Sequence, residues 1–385
     1  MSAGGSTVTA AAGTGPRDTA RPPVPSADDR LVSAQGIAVS LFSGAGGLDL
    51  GAEAAGYEVR AAVEWDRDAA ETMEKNFAHL ESPVIRADIL QTPTRQILQA
   101  AGLRPGERPD LLIGAPPCTP FSKSGFWLEW KREGLEPDAS LLQAYTRVLA
   151  EARPRRFVLE NVYALTYDNK ASRPAFERLL REIDAAGYHC EAKVLNAADY
   201  GVPQSRPRLF VIGAPKDQSL PRHPEPTHGG QWGATAQRQP ASAARHRRRS
   251  ARGPGHRPRT RRRGQRQIRA SAARHPARRQ LPVLHQQARN PDPLFTWRSK
   301  YWSFLLKLAP GKPAPTIQAQ PGPYVGPFHW DNRRLRTAEI KRLFTYPDDF
   351  EFTGTRSSVQ AQLGNSVPPL LAEKVIAGTA GTPGS

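Results

Sequence analysis

Ile37-Ala38-Val39-Ser40-Leu41-Phe42 runs directly into Ser43-Gly44-Ala45-Gly46-Gly47, and this junction decides the fold of the 385-residue chain. The apolar run reads as a buried strand ending in a glycine turn. Such a turn lets backbone approach a ligand closely, with a helix N-terminus just behind it. Working outward, Leu48 to Ala55 starts a helix, and Glu58 to Val63 forms a second strand that ends at Glu64-Trp65-Asp66. A helix from about Asp68 to Phe77 and the short run Val84 to Ile89 follow. Further on, strands at Leu111–Ile113, Phe157–Leu159 and Leu209–Gly213 alternate with helical stretches at Leu141–Glu151 and Phe176–Ala186. Strands alternating with helices predict an α/β fold built on a mostly parallel, doubly wound sheet.

The chemistry collects where these strands end. Gly114-Ala115-Pro116-Pro117-Cys118-Thr119-Pro120-Phe121-Ser122 follows the strand Leu111–Ile113. Two prolines stiffen the backbone ahead of one thiol, at the sheet edge where ligands gather in open α/β folds. A structural cysteine buried for packing needs no such mounting. Glu64 ends the second strand, where such acids serve ribose hydroxyls, Trp65 can stack on an adenine ring, and Asp88 can accept from an exocyclic amine. Singly, each acid reads as a solvated loop carboxylate; at successive strand ends they point to an adenosine-containing cofactor without a pyrophosphate. Glu160-Asn161-Val162 follows Phe157–Leu159, which puts a carboxyl near Cys118. A thiol with a nearby carboxyl suits covalent attack on an electron-poor ring with protonation at a ring nitrogen. Gln204-Ser205-Arg206-Pro207-Arg208 sets two guanidiniums on one side of an extended segment, able to fix a carboxyl, a carbonyl or a phosphate.

Composition narrows the class. The net charge of +18 invites a nucleic-acid reading of the whole chain, yet residues 231–290 hold 17 Arg and no Lys, Asp or Glu. Subtracting those 17 leaves +1 for the other 325 residues, so the basic balance belongs to one segment. Cys118 and Cys190 alone give neither a disulfide framework nor a zinc spacing; no bound metal is expected and a reducing cytoplasm is. No apolar run reaches the roughly 20 residues of a membrane span. The N-terminus lacks a signal pattern.

Phe42 to Gly47, Pro116-Pro117-Cys118, Glu160-Asn161-Val162, Gln204/Arg206/Arg208 and Gln362-Leu363-Gly364-Asn365-Ser366-Val367-Pro368-Pro369 together resemble the bacterial DNA (cytosine-5)-methyltransferases, in matching order. Arg336 to Phe344 with Tyr346-Pro347-Asp348-Asp349-Phe350 is similar to the motif before the last. The resemblance covers roughly residues 36–230 and 291–377. It implies a Rossmann-like fold and S-adenosyl-L-methionine, held by Phe42, Gly44, Gly46, Gly47, Glu64, Trp65, Asp88, Ile89, Pro117, Leu141, Asn365 and Ser366. It implies a cytosine flipped from double-stranded DNA, attacked at C6 by Cys118 while Glu160 assists at N3. Arg206 and Arg208 would orient the ring, with Thr119, Ser122, Asn161 and Gln204 positioning it. Thr119 stands where the family usually has glutamine, which is expected to alter rate or sequence context.

A larger departure is the Arg-rich stretch, which falls where the family keeps a folded target recognition domain. Arginine tracts bind phosphates without sequence preference. A second reading is that about 60 residues, near Gln231 to Asn290, are frame-shifted. DNA encoding Gln280 to Arg289 can, in a neighbouring frame, encode Asn-Tyr-Leu-Phe-Phe-Thr-Ser-Lys-Arg-Gly, a strand-like sequence that runs on into Asn290. The expected organisation is a disordered leader over 1–34, a catalytic domain over 35–220 and a small, disrupted recognition region over 221–330. C-terminal motifs over 331–377 return to the catalytic domain, and 378–385 form a tail. The setting implied is a monomer acting on DNA in the bacterial nucleoid, as a solitary methylase or beside a cognate restriction endonuclease that it does not stably bind. The rival readings are an inactive remnant that holds cofactor and nucleic acid, and an RNA cytosine methylase.

Overall fold

A computed structural model describes residues 35–77, 84–117, 139–169, 172–228, 306–322 and 325–379. One seven-stranded sheet runs in the order β3 (Ile85–Arg86), β2 (Tyr57–Glu64), β1 (Gly36–Leu41), β4 (Leu111–Gly114), β5 (Arg156–Val162), β8 (Pro207–Pro215), β6 (Tyr188–Asn196). The five strands from β3 to β5 are parallel, and β8 is antiparallel to both β5 and β6. The chain starts in mid-sheet at β1, steps outward to β2 and β3, then returns to pair β4 on the other side of β1. That reversal is the topological switch point beside which open α/β sheets bind ligands. The register aligns Leu41 with Val63 and with Gly114, and Gly114 with Leu159, so four carboxyl ends share one edge. A separate two-stranded parallel pair joins β7 (Gln204–Ser205) to β9 (Ala314–Pro315).

Strand alternation assigns the two faces. Val39, Leu41, Leu112, Phe157 and Leu159 pack with Ile97, Tyr145, Val148 and Ile183. These come from helices α3 (Thr94–Ala100), α4 (Ala139–Ala152) and α5 (Ser172–Ala185). Ala38, Val59, Leu111, Ile113, Val158, Phe210 and Ile212 pack on the other face with Leu48, Leu371 and Val375, from α1 (Gly47–Ala54) and α8 (Pro369–Ala377). The approach of α1 to α8 is so close that a Cβ on Gly51 would lie 2.3 Å from that of Ala372. A third cluster joins Met73 of α2 (Arg67–Asn76), and Phe77 just after it, to Ile317, Ile340, Phe344, Tyr346, Phe350 and Leu363. It seats α6 (Thr337–Leu343) and α7 (Arg356–Asn365) beside the first half of the sheet. Each such apolar side chain stabilises the fold by roughly 1.5–3 kcal/mol on full burial, so the C-terminal segment is an integral layer of the fold.

The α/β expectation holds, with two differences of detail. β5 does not stop at Leu159 but continues through Glu160 and Asn161 to Val162, pairing with Phe210, Leu209 and Arg208 of β8. β6 lies outside the expected strands: its Cys190 to Lys193 stretch is polar and partly exposed, because among the described residues it is an edge strand paired with β8 alone. The proposed leader, the Arg-rich stretch and the thiol loop Cys118 to Ser122 all lie outside the described residues. Among the described residues no helix is long and apolar enough to cross a membrane.

Candidate active site

The turn after β1 is built on close approach. Phe42 and Gly44 have φ of 54° and 56°, and Gly46 has 78°. At Gly46 a Cβ would also lie 2.5 Å from Met73 Sδ, which leaves glycine as the one residue that fits both the φ and the space. Gly47 has ordinary helical φ, but the C-terminal segment crosses directly above it. A Cβ there would lie 2.2 Å from the Val367 carbonyl and 2.3 Å from Ser366 Oγ. Tyr346 Oη lies 2.5 Å from that same Ser366 Oγ and donates to the Ala45 carbonyl at 3.4 Å. Residues some 300 positions apart thus share one wall.

Glu64 closes the turn from the side. Its Oε2 accepts from the Gly44 amide at 2.6 Å and its Oε1 from the Asp66 amide at 2.8 Å. Burial pushes its carboxyl pKa up, against the pull of those amides. Asp66 caps α2 by accepting from the Ala69 amide at 2.9 Å. Trp65 between them is 69% exposed, its indole unpacked against the protein core. Asp88 accepts from the Leu90 amide at 2.9 Å, which fixes the loop that carries Ile89.

Glu160 is buried on β5, where its Oε1 meets Arg208 Nε at 3.0 Å. Burial raises the Glu160 pKa, and the opposing pull of Arg208 and then Arg206 does not cancel it. Asn161 donates to the Pro116 carbonyl at 3.2 Å and accepts from the Val162 amide at 2.8 Å, which ties β5 to the proline loop. One cavity of about 740 Å³ brings these groups together. Of the residues predicted to hold cofactor, all except Gly46 line it: Phe42, Gly44, Gly47, Glu64, Trp65, Asp88, Ile89, Pro117, Leu141, Asn365 and Ser366. Gly46 instead shapes the turn from behind. Glu160, Asn161, Arg206 and Arg208 line the same cavity. Cys118, Thr119 and Ser122 lie outside the described residues.

Two predicted site residues sit differently from the expectation. Gln204 is buried away from the cavity, accepting from the Ile317 amide at 3.1 Å and donating to the Leu343 carbonyl at 3.5 Å. Arg206 has no accessible surface; it donates to the carbonyls of Ile317 at 3.2 Å and Gly364 at 2.6 Å. Its guanidinium carbon lies 5.1 Å from the Phe344 ring centroid. The extended segment does carry both arginines, but backbone carbonyls from distant parts of the chain occupy the Arg206 guanidinium. Ala319, Gln320, Ser358 and Gln362 also line the cavity and were not foreseen. Gln362 stands within a quoted motif, while Ala319 and Gln320 belong to a segment with no periodicity to flag them.

Comparison with known proteins agrees with this geometry. Residues 37–379 match the family model described as C-5 cytosine-specific DNA methylase. The chain is 42% identical over 364 residues to the Type II methyltransferase M.SacI of Streptomyces achromogenes, covering 88% of this chain and 91% of that protein. It is 30% identical to the Type II methyltransferase M.NgoFVII of Neisseria gonorrhoeae, covering 86% and 83%. Among solved structures, the fold is similar to the Entamoeba histolytica methyltransferase EhMeth, with TM-score 0.54 and 15% identity over 90% of this chain and 98% of that one. It is likewise similar to the Dnmt2 methyltransferase of S. pombe, with TM-score 0.52 and 14% identity over 89% and 98%.

Proposed function

Since the chain belongs to the C-5 cytosine-specific DNA methylase family, we propose that its cavity holds S-adenosyl-L-methionine beside a cytosine flipped out of duplex DNA. The enzyme is a DNA cytosine-5 methyltransferase; the proposal concerns its cofactor, its residues and its setting. The ion pair of Glu160 and Arg208 on the wall that also carries the glycine turn and Glu64 is the observation that carries it.

The residues fit this donor. About 740 Å³ accommodates a nucleoside with an amino-acid arm. Glu64, Asp66 and Asp88 supply acids to a cationic ligand, and the exposed Trp65 offers a ring face. When bound, the donor supplies a methyl group on a positively charged sulfur. Glu64 would accept from ribose hydroxyls, Asp88 from the adenine amine, and Asn365 and Ser366 would close over the amino-acid end.

Cys118 would act as nucleophile: its thiolate bonds to C6, the C5–C6 π electrons move toward the ring carbonyl and N3, and Glu160 gives its proton to N3. With Cys118 bonded at C6 and N3 protonated by Glu160, C5 would carry the electron density needed to accept the methyl group that the bound donor would supply. A base takes the C5 proton, Cys118 leaves C6 with its bonding pair, and N3 returns its proton to Glu160. A carboxyl with a raised pKa suits this role, because it carries a proton nearer neutral pH than a solvated glutamate does. Arg208 orients Glu160 and faces the ring carbonyl.

The relatives are Type II methyltransferases, and we place this chain in the same setting, modifying sites that a cognate restriction endonuclease would cut. It acts as a monomer on nucleoid DNA in the cytoplasm and forms no stable complex with that nuclease. Purified protein, methyl-labelled donor and cytosine-containing duplexes test the reading. Label on C5 of cytosine, lost in Cys118→Ala, is the expected result; label confined to folded RNA, or retained by that variant, overturns it.

A further inference from the structure

Arg206 and Gln204 carry polar groups that the chemistry above leaves unused. Both are fully buried. Between them they hold a single residue by both of its backbone groups: Gln204 accepts from the Ile317 amide at 3.1 Å and Arg206 donates to the Ile317 carbonyl at 3.2 Å. Each then reaches a second segment. Gln204 donates to the carbonyl of Leu343, which ends α6, and Arg206 to that of Gly364 in the last turn of α7. The partners of Arg206 lie 111 and 158 residues along the chain.

What these carbonyls carry is specific. Gly364 immediately precedes Asn365 and Ser366, and Ile317 stands two residues before Ala319; all four of Gly364, Asn365, Ser366 and Ala319 line the cavity. Gly364 and Ala319 are in such close register that a Cβ on Gly364 would lie 2.2 Å from the Ala319 amide nitrogen. The Arg206 guanidinium borders the cavity but has no accessible surface of its own, and the carbonyls it already holds define where the donor-side wall stands. Burial and the neighbouring Arg208 charge lower the Arg206 pKa, and the ring of Phe344 beneath the guanidinium and the nearby Glu160 offset only part of that cost.

We infer that Arg206 and Gln204 are positioning residues: they pin Ile317 and Gly364, and through them set the donor-side wall of Asn365 and Ser366 before any DNA is bound. The inference rests on the reading that this cavity holds the donor. It differs from a substrate role in what DNA-free protein shows. A guanidinium that touched the base alone would leave donor binding intact without DNA, whereas a clamp is needed by the donor first.

Calorimetric binding of S-adenosyl-L-homocysteine to the full chain, without DNA, separates the two. Arg206→Lys keeps the charge but not the two-carbonyl fork, and is expected to weaken binding roughly tenfold. Arg173→Lys, on the exposed side of α5 and outside the cavity, leaves it unchanged. Gln204→Ala is expected to weaken it several-fold and to raise hydrogen exchange at the Ile317 amide, while Gln204→Glu, which retains the accepting oxygen, restores that protection. Wild-type protein that does not bind the thioether overturns the cofactor reading and the clamp together. Wild-type binding with unchanged affinity in Arg206→Lys overturns the clamp alone. If Arg206→Lys fails to fold, Gln204→Ala decides: faster Ile317 exchange with undiminished thioether affinity rejects the clamp.

Discussion

Glu160 Oε1 lies 3.0 Å from Arg208 Nε, and both side chains are nearly sealed from solvent. Burial raises the carboxyl pKa while the guanidinium pulls it back, so the pair holds an acid that can keep its proton and still be oriented. Removing the carboxyl charge without changing its shape should therefore remove proton transfer alone. Glu160→Gln is expected to lower the methyl-transfer rate about 100-fold or more, with thioether binding unchanged. The pH–rate profile is the sharper measurement. A protonated Glu160 is lost as pH rises past its raised pKa, giving a falling limb that the Gln variant lacks. An identical profile in both proteins would remove Glu160 from the chemistry.

Asp49 in the first turn of α1 is a fully buried acid. Burial, ahead of all other influences, pushes its pKa to about 7, against the opposing pull of the Ser40 hydroxyl and of its own backbone amide. The folded protein holds this proton where the unfolded chain, near 3.8, has released it. Its stability contribution is thus present below about pH 4 and lost progressively up to about pH 7. Asp49→Asn removes the titration, so its stabilising effect should grow over that window, reaching on the order of 4 kcal/mol at most. Denaturant midpoints for both proteins at pH 5 and pH 8 check this. Equal differences at the two pH values would show that Asp49 is ionised in the fold.

Much of this architecture was legible because short-range signals coincide with it. The run Ile37–Phe42 and its glycines mark β1 and the turn, and Glu64 and Asp88 stand at strand ends because the alternation puts them there. What escaped has a common physical cause. β5 carries Glu160 and Asn161 inside the strand, and polar residues in a core strand read as its end. β6 alternates weakly because an edge strand half faces water. The clamp of Arg206 is invisible locally: Gln-x-Arg-x-Arg spacing says nothing of carbonyls more than 100 residues away.

Gly47 offers a test of the wall that the C-terminal segment forms over the turn. Its backbone suits any residue, so the cost of a side chain there is purely spatial. A methyl group would meet the Val367 carbonyl, Ser366 Oγ and Tyr346 Oη, all within 2.9 Å. Gly47→Ala is expected to destabilise by roughly 1–3 kcal/mol and to displace Ser366, weakening donor binding as well. Gly102→Ala, at a positive φ of 70° with open space around it, isolates backbone strain from crowding. Comparable donor affinity in the two variants would mean that the wall does not touch the donor.

Residues 231–290 give a prediction at the level of the gene. We propose, from their composition and from the strand-like peptide that DNA for Gln280 to Arg289 can encode in a neighbouring frame, one shift of frame near codon 231 and a second near codon 290. Resequencing should find the two compensating changes, and a chain with the frame restored should methylate one defined sequence context, read by bisulfite sequencing of host DNA. A single uninterrupted frame would leave the arginine tract as native sequence, and its contribution would then be a salt-dependent, sequence-independent affinity for phosphates.

Trp65 separates binding from folding more cleanly than any other residue of the cavity. Its side chain is 69% exposed between two acids whose carboxylates are engaged by backbone amides, so the fold gains little from the indole itself. An exposed tryptophan at the mouth of a cavity is better explained by what stacks on it. Trp65→Ala should leave the unfolding midpoint within about 0.5 kcal/mol of wild type. It should lower affinity for the adenosine thioether by roughly tenfold, the worth of one base–aromatic stack. Indole fluorescence gives an independent reading, since Trp65 should respond on ligand addition while Glu64→Gln, with the ring in place but the ribose acceptor impaired, shifts the midpoint of that response. A Trp65→Ala protein that binds the thioether as tightly as wild type would place the adenine elsewhere in the cavity.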